Sequence, residues 1–349
     1  MSFVVCPRLC RPGSCELVFV LGVLLCVFVT MLLAIARRML PRQQLARPLS
    51  WAAAAAATAA AVAAARASEA EAALPIQVET ITLQDGRALS YRSMGDPDGI
   101  PIIALHGMSS SHLTWVPKVP LASIAPGVRL IAIDRPGYGA STDPPAGYSY
   151  AHFVADLKEL ADALHLERFC VAGHSSGGPY ALAAAALLPD RVLACAAVSS
   201  DPPYNHPRCP DAVRLSDGMS VDGKGGFYGR DPVAKVANWR AKVFASEAGE
   251  DRQWPWKQGV IGFVTDFTLE RIPWSFRIED VKLGERLSIW YGTKDYDAMI
   301  LGAPWMQSLV PGSQVRAVPD GKHSFKSEPE HMQAILTTLR DQARKAAQQ

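Results

Sequence analysis

Lysine is missing from the first 68 residues of this 349-residue chain, and Glu16 is the single acidic residue there. Arginine supplies the only other charge in that stretch, at Arg8, Arg11, Arg37, Arg38, Arg42, Arg47 and Arg66. Charge is scarce overall: 19% of residues are charged, 49% are hydrophobic, and the formal net charge is +2. So much apolar material with so little charge excludes a disordered chain. No block of Lys and Arg interleaves with aromatics, so no nucleic-acid partner is expected. The seven cysteines are odd in number and scattered in spacing, which argues against a disulfide-stapled secreted domain. Cys170 and Cys195 fall in apolar runs, where a lone cysteine acts as a small hydrophobe. No internal repeat is visible.

What the N-terminal unit does have is an uncharged run over 17–36, rich in Leu, Val, Phe, Ile and Met. Its length matches the roughly 20 helical residues that a bilayer core requires, and it lacks the polar face of a core helix. A single-pass anchor is therefore expected at 17–36. The arginines that follow the run place the remainder of the chain in the cytosol by the positive-inside rule. The alternative is an organelle-targeting segment, Arg-rich and acid-poor, cleaved near Ala65-Arg66-Ala67. The nearly pure alanine tract over 52–65 reads as a helical linker. The expected organisation is an N-terminal unit over 1–75 and a globular domain over 76–349.

From residue 76 onward, short apolar runs alternate with helical patterns. Runs at 77–84 and 87–92 flank Asp85-Gly86, the signature of a β-hairpin. Further strands are expected at 101–105, 129–133, 169–172, 193–198, 287–291 and 314–318. Helices are expected at 150–164, where Phe153, Leu157, Leu160 and Leu164 share a face, at 178–188, and from about residue 328. Continuous apolar strands separated by helices predict a mostly parallel sheet covered on both faces. Ligands of such sheets bind beyond the carboxyl ends of the strands. Residues 202–280 interrupt the pattern with Pro, Gly, charge and the aromatics Phe227, Tyr228, Trp239, Trp254, Trp256, Trp274 and Phe276, and read as an inserted cap.

The chemistry is expected at those carboxyl ends. The strand at 169–172 runs into Gly173-His174-Ser175-Ser176-Gly177-Gly178 and then a helix, a G-x-S-x-G elbow in its strand–turn–helix setting. The tight turn lifts the Ser175 hydroxyl above the sheet and leaves the Ser176 N–H at a helix N-terminus. His323, in the loop after the last strand, is positioned to act as base. The other histidines read as loop supports, as an elbow side chain (His174), or as surface and loop residues (His112, His152, His165, His206, His331). Asp295 follows the strand at 287–291 and is the expected orienting carboxylate, with Asp297 and Asp201 as alternatives. The N–H groups of Ser176 and Met108 are the expected oxyanion donors; losing one such donor costs about 2.7–4 kcal/mol.

The segments ALHGMSSS, IAIDRPGYGAS, VAGHSSGG, IWYGTKD and PDGKHSF resemble, in order, the signature loops of the α/β-hydrolase superfamily. The likeness covers about 78–339. It implies an eight-stranded sheet with a cap, and a triad of Ser175, Asp295 and His323. Where relatives carry Gly-Gly-His, this chain has Gly321-Lys322-His323, which is expected to set a cation beside the pocket. The loop His106-Gly107-Met108-Ser109 differs from the His-Gly-Gly-Gly of many lipases, which disfavours a triglyceride lipase. The expected activity is hydrolysis of a small ester or acyl substrate, carboxyl ester or thioester, with no cofactor and no metal. Alternatives are a peptidase, a C–C hydrolase, a cofactor-free haloperoxidase, or a hydrolase-like binding protein without turnover. Dehalogenases and epoxide hydrolases use an aspartate at the elbow, so Ser175 argues against both.

Overall fold

Strands of this chain bury side chains on both faces, and that decides the architecture. The computed structural model describes residues 78–216, 231–246 and 249–348. The expected span at 17–36, the alanine tract and the 75/76 boundary lie outside the described residues. Among the described residues, no helix is long and apolar enough to cross a membrane.

Eight strands form one sheet: β1 (Glu79–Thr82), β2 (Ala88–Gly95), β3 (Ile100–Leu105), β4 (Val128–Ile133), β5 (Phe169–His174), β6 (Val192–Val198), β7 (Leu287–Gly292) and β8 (Gln314–Val318). Their order is β1-β2-β4-β3-β5-β6-β7-β8. Strand β2 is antiparallel to β1 and β4, and the pairings from β4 through β8 are parallel. The Asp85-Gly86 hairpin joins β1 to β2, with Gly86 at φ +87°, as a tight turn demands.

Successive strand residues point to opposite faces, and each face has its own core. On one side Ile103, Leu105, Ile131, Ile133, Val171 and Ile289 pack with Phe153, Leu157 and Leu160 of α1 (Tyr150–Ala163) and with the alanine-rich α2 (Gly177–Leu187). On the other, Ile102, Ala104, Leu130, Ala132, Cys170 and Ala172 pack with Ile335, Leu336 and Leu339 of the last helix (Pro329–Ala346). Cys195 is buried on the α1 side, and both strand cysteines behave as the small hydrophobes expected.

Between β6 and β7 lies the insertion. Its described part carries α3 (Pro232–Ala245), which starts at an Asp231 cap accepting from the Ala234 N–H, and α4 (Ile261–Leu269). Val236, Trp256 and Phe263 form its own small core, against which Met108, Trp239 and Phe267 pack. The remaining aromatics have different duties: Trp274 stacks on Phe276 with ring centroids 5.0 Å apart, and both meet Tyr150 edge-on. Phe227 and Tyr228 lie outside the described residues.

The insertion is tied to the sheet by a buried ion pair. Asp266 of α4 pairs with Arg135, which follows β4 and is 1% exposed. Tyr138 (2.6 Å) and Tyr180 of α2 (2.8 Å) donate hydroxyl hydrogen bonds to the same carboxylate. Burial works against the Arg135 charge, and Asp266 more than restores it, so the guanidinium stays cationic. Each Asp266 oxygen accepts two hydrogen bonds, and Arg135 donates from Nε, Nη1 and Nη2; such pairing is what makes a buried ion pair tolerable.

Candidate active site

The turn after β5 explains why glycine flanks the serine. Ser175 sits at φ +54°, a left-handed conformation that costs a non-glycine residue on the order of 1–3 kcal/mol. A side chain on Gly173 would overlap the Gly177 carbonyl, and one on Gly177 would overlap the carbonyl oxygens of Leu105 and His106. These close approaches bring β5, α2 and the loop after β3 together around Ser175.

Three of the expected residues converge. His323 Nε2 lies 3.0 Å from Ser175 Oγ, and His323 Nδ1 lies 2.8 Å from Asp295 Oδ1. This network assigns the ring proton to Nδ1, facing the carboxylate, and leaves Nε2 to accept from the serine hydroxyl. The Asp295 side chain is 0% exposed. Burial alone would raise its carboxyl, but hydrogen bonds from His323 and Ser199 and the Tyr296 N–H hold it below the usual carboxylate range. Ser199 Oγ donates to Asp295 Oδ2 at 2.6 Å, and the Tyr296 N–H donates to Oδ1 at 2.8 Å. The carboxylate is thus pinned on both oxygens. His174 packs sideways and donates from Nε2 to the His323 carbonyl at 2.8 Å.

The alternatives to Asp295 do other things. Asp297 is exposed at the start of the helix Asp297–Leu309. Asp201 is buried and accepts from the Tyr204 hydroxyl at 3.1 Å. Ser176 is the N-cap residue of α2, so its N–H lies at the positive end of a helix. Met108 lies in the loop after β3, where a Cβ on neighbouring Gly107 would come 2.9 Å from Ser175 Cβ.

One reading from sequence needs correction. His112 is not a surface residue: it is fully buried, with Nδ1 2.9 Å from Asp134 Oδ1. Asp134 also accepts from Ser90 Oγ (2.9 Å) and from Nε1 of Trp254 in the insertion (2.8 Å). Lys322 is exposed, and a second lysine of the same loop, Lys326, is buried. Ser199, Tyr296 and Lys326 were missed. The position of Ser199 directly after β6, at the sheet's carboxyl edge, was the available signal for it.

Lys326 is 1% exposed, and its Nζ donates to the Thr114 carbonyl over the Trp115 ring, 4.6 Å from the centroid. Burial pushes its ammonium down to about 7. The unfolded chain therefore holds this proton more tightly than the folded one. Stability is reduced below about pH 7 and recovers as pH rises toward 10.5, since the unfolded state binds the extra proton across that window. The full gap corresponds to about 5 kcal/mol. Lys326→Met keeps the stem and removes the charge. Urea unfolding at pH 6.5 and pH 10 should show wild type gaining several kcal/mol on the variant as pH rises. A pH-independent difference between the two proteins refutes the assignment.

A strained serine between strand and helix, a histidine after the last strand and an aspartate after the strand before it stand in hydrogen-bonded sequence at the carboxyl edge of the sheet. Residues 100–252 match the family described as alpha/beta hydrolase fold. A non-heme chloroperoxidase of Streptomyces lividans is 36% identical over 125 residues, 36% of this chain and 45% of that protein. A putative 2-succinyl-6-hydroxy-2,4-cyclohexadiene-1-carboxylate synthase of Bacillus subtilis is 25% identical over 270 residues, 71% of this chain and 92% of that protein. Among solved structures, an epoxide hydrolase from metagenomes of hot environments superposes with a TM-score of 0.56 at 19% identity, over 77% of this chain and 99% of that one. The chain matches less than half the length of the chloroperoxidase. It belongs to the α/β-hydrolase fold superfamily.

Proposed function

We propose that this chain is a serine hydrolase that cleaves a carboxyl ester or thioester through an acyl-Ser175 intermediate. The fold alone does not choose among the superfamily's activities. The observation that carries the reading is the continuous relay from Ser175 Oγ through His323 to Asp295, at 3.0 and 2.8 Å. His323 Nε2 takes the Ser175 proton as Oγ attacks the carbonyl carbon. The oxyanion forms against the N–H groups of Ser176 and Met108. His323 then delivers the proton to the leaving alcohol or thiol, and the acyl-enzyme remains. Water, activated by the same imidazole, attacks it, and the acid leaves as Ser175 regains its proton.

A fluorophosphonate probe tests the nucleophile, because Oγ attack on phosphorus expels fluoride and leaves a stable adduct. Labelling of the purified chain at Ser175, together with turnover of a p-nitrophenyl ester series, is the expected result. No label and no turnover from acetyl to decanoyl esters overturns the reading. The likeness to a chloroperoxidase motivates a second use of the same intermediate, with hydrogen peroxide opening the acyl-enzyme. Peracid formation from a short carboxylic acid and peroxide, faster than ester hydrolysis, is the outcome that favours it.

A further inference from the structure

His323 is held at two points, its ring and its backbone. Asp295 holds the ring through Nδ1 at 2.8 Å. The backbone is held from the elbow: the His323 carbonyl accepts from His174 Nε2 at 2.8 Å, across 149 residues of sequence. A carbonyl can only accept, so a His174 proton sits on Nε2. Burial, with Lys326 and His323 nearby, pushes the His174 imidazole well below its usual range, so the ring is neutral and this is its one N–H. The two imidazoles lie 5.0 Å apart between centroids, tilted by 47°. His174 also meets the loop after β3, where a Cβ on Gly107 would stand 3.3 Å from its carbonyl oxygen and 3.5 Å from its Nδ1.

We propose that His174 is a positioning residue whose Nε2–H fixes the backbone of His323, and so keeps His323 Nε2 at 3.0 Å from Ser175 Oγ. The inference rests on the serine-hydrolase reading, because that distance governs rate only where His323 takes the Ser175 proton. His174 and Ser175 are consecutive, so the bond ties nucleophile and base to one turn. That turn is itself anchored: the Ser175 N–H donates to the Val198 carbonyl at 3.0 Å, and the Gly178 N–H donates to the Ser175 carbonyl at 2.8 Å.

The loop that carries His323 is tied down on either side of it. The Lys294 N–H donates to the Gly321 carbonyl at 2.8 Å, and the Phe325 N–H donates to the Lys322 carbonyl at 2.9 Å. Further on, Lys326 Nζ is bound to the Thr114 carbonyl. Among the described residues, no hydrogen bond other than the one from His174 reaches the His323 backbone itself. The bond to Asp295 sets the tautomer and the tilt of the ring. It does not set the place of the Cα, because a side chain with two rotatable bonds can keep that contact while its backbone moves. A misplacement of about 1 Å between reacting groups costs on the order of 10²-fold in rate. The role requires a donor of the right reach, not an imidazole.

Three variants of the full chain test this, each with kcat and KM on one p-nitrophenyl ester and with a thermal melt. His174→Met fills a similar volume without a donor. His174→Asn carries an amide N–H that stops short, near the place of Nδ1. His174→Gln carries one that reaches the place of Nε2. The methionine and asparagine variants should lose on the order of 10²-fold in kcat with KM within about threefold, the scale of a misplaced catalytic group. The glutamine variant should recover about tenfold or more of that loss. Should the methionine variant fail to fold, the comparison of glutamine with asparagine carries the test, and equal rates in those two overturn the proposal. Normal kcat in the methionine variant, with or without a lowered melting temperature, also overturns it. In each of these cases an active wild type leaves the hydrolase reading standing. Failure of wild type itself to turn over esters or take the fluorophosphonate label overturns that reading, and the inference with it.

Discussion

Ser175→Ala should abolish ester turnover, with a loss on the order of 10⁴-fold or more in kcat, the scale seen when a triad nucleophile is removed. The folded state should survive, because among the described residues Ser175 Oγ bonds only to His323. Alanine keeps the Cβ at φ +54° and with it the strain of that position. Ser175→Gly should be equally inactive but more stable than the alanine variant, by about 1–2 kcal/mol, because glycine adopts the left-handed region without steric cost. The pair of variants separates chemistry from strain: both lose activity, and only glycine gains stability. Calorimetry and stopped ester assays on the same preparations provide the check. Residual turnover above the solvent-catalysed rate in either variant would place the nucleophile elsewhere.

Local pattern made the sheet and triad legible, and distance in sequence hid the rest. The strand at 314–318 coincides with the observed β8, because its ends are set by the Gly312 turn and Pro319. Strand β2 runs on to Gly95, beyond the expected end at residue 92, because pairing continues through Gly95↔Arg129. Polarity alternation cannot reveal where a partner strand stops. The elbow and the residues after β7 and β8 were readable because each functional residue follows its own strand. Ion pairs across the insertion were not: Arg135 and Asp266 are 131 residues apart. Nothing in a run of charged residues distinguishes a buried partner from a solvated one. His112 was misread for the same reason, since burial of a polar side chain is a property of what packs over it.

Asp295→Asn should lower kcat about 10⁴-fold while leaving KM within a few-fold, because the side chain touches the base and not the substrate. The geometry accounts for both parts of the loss. Asp295 Oδ1 now accepts from His323 Nδ1 at 2.8 Å, and Oδ2 accepts from Ser199 Oγ at 2.6 Å. An asparagine that turns its NH₂ toward His323 forces the ring to accept at Nδ1 and to carry its proton on Nε2. Nε2 then cannot take the Ser175 proton. An asparagine turned the other way keeps the tautomer, with Ser199 accepting from the NH₂. It still withdraws the negative charge that stabilises the imidazolium once the proton has moved. Both orientations therefore slow acylation and deacylation alike. The exposed Asp297 and the Tyr204-bound Asp201 lack these contacts. Asp297→Asn should change kcat by less than about threefold, as expected of a surface substitution. A 10⁴-fold loss in Asp297→Asn or Asp201→Asn, with Asp295→Asn near wild type, would reassign the orienting carboxylate. An Asp295→Glu variant refines the argument, because its extra methylene must displace either His323 or Ser199 from an oxygen held on both sides. It should retain charge and tautomer but lose alignment, and so fall between wild type and Asp295→Asn in kcat.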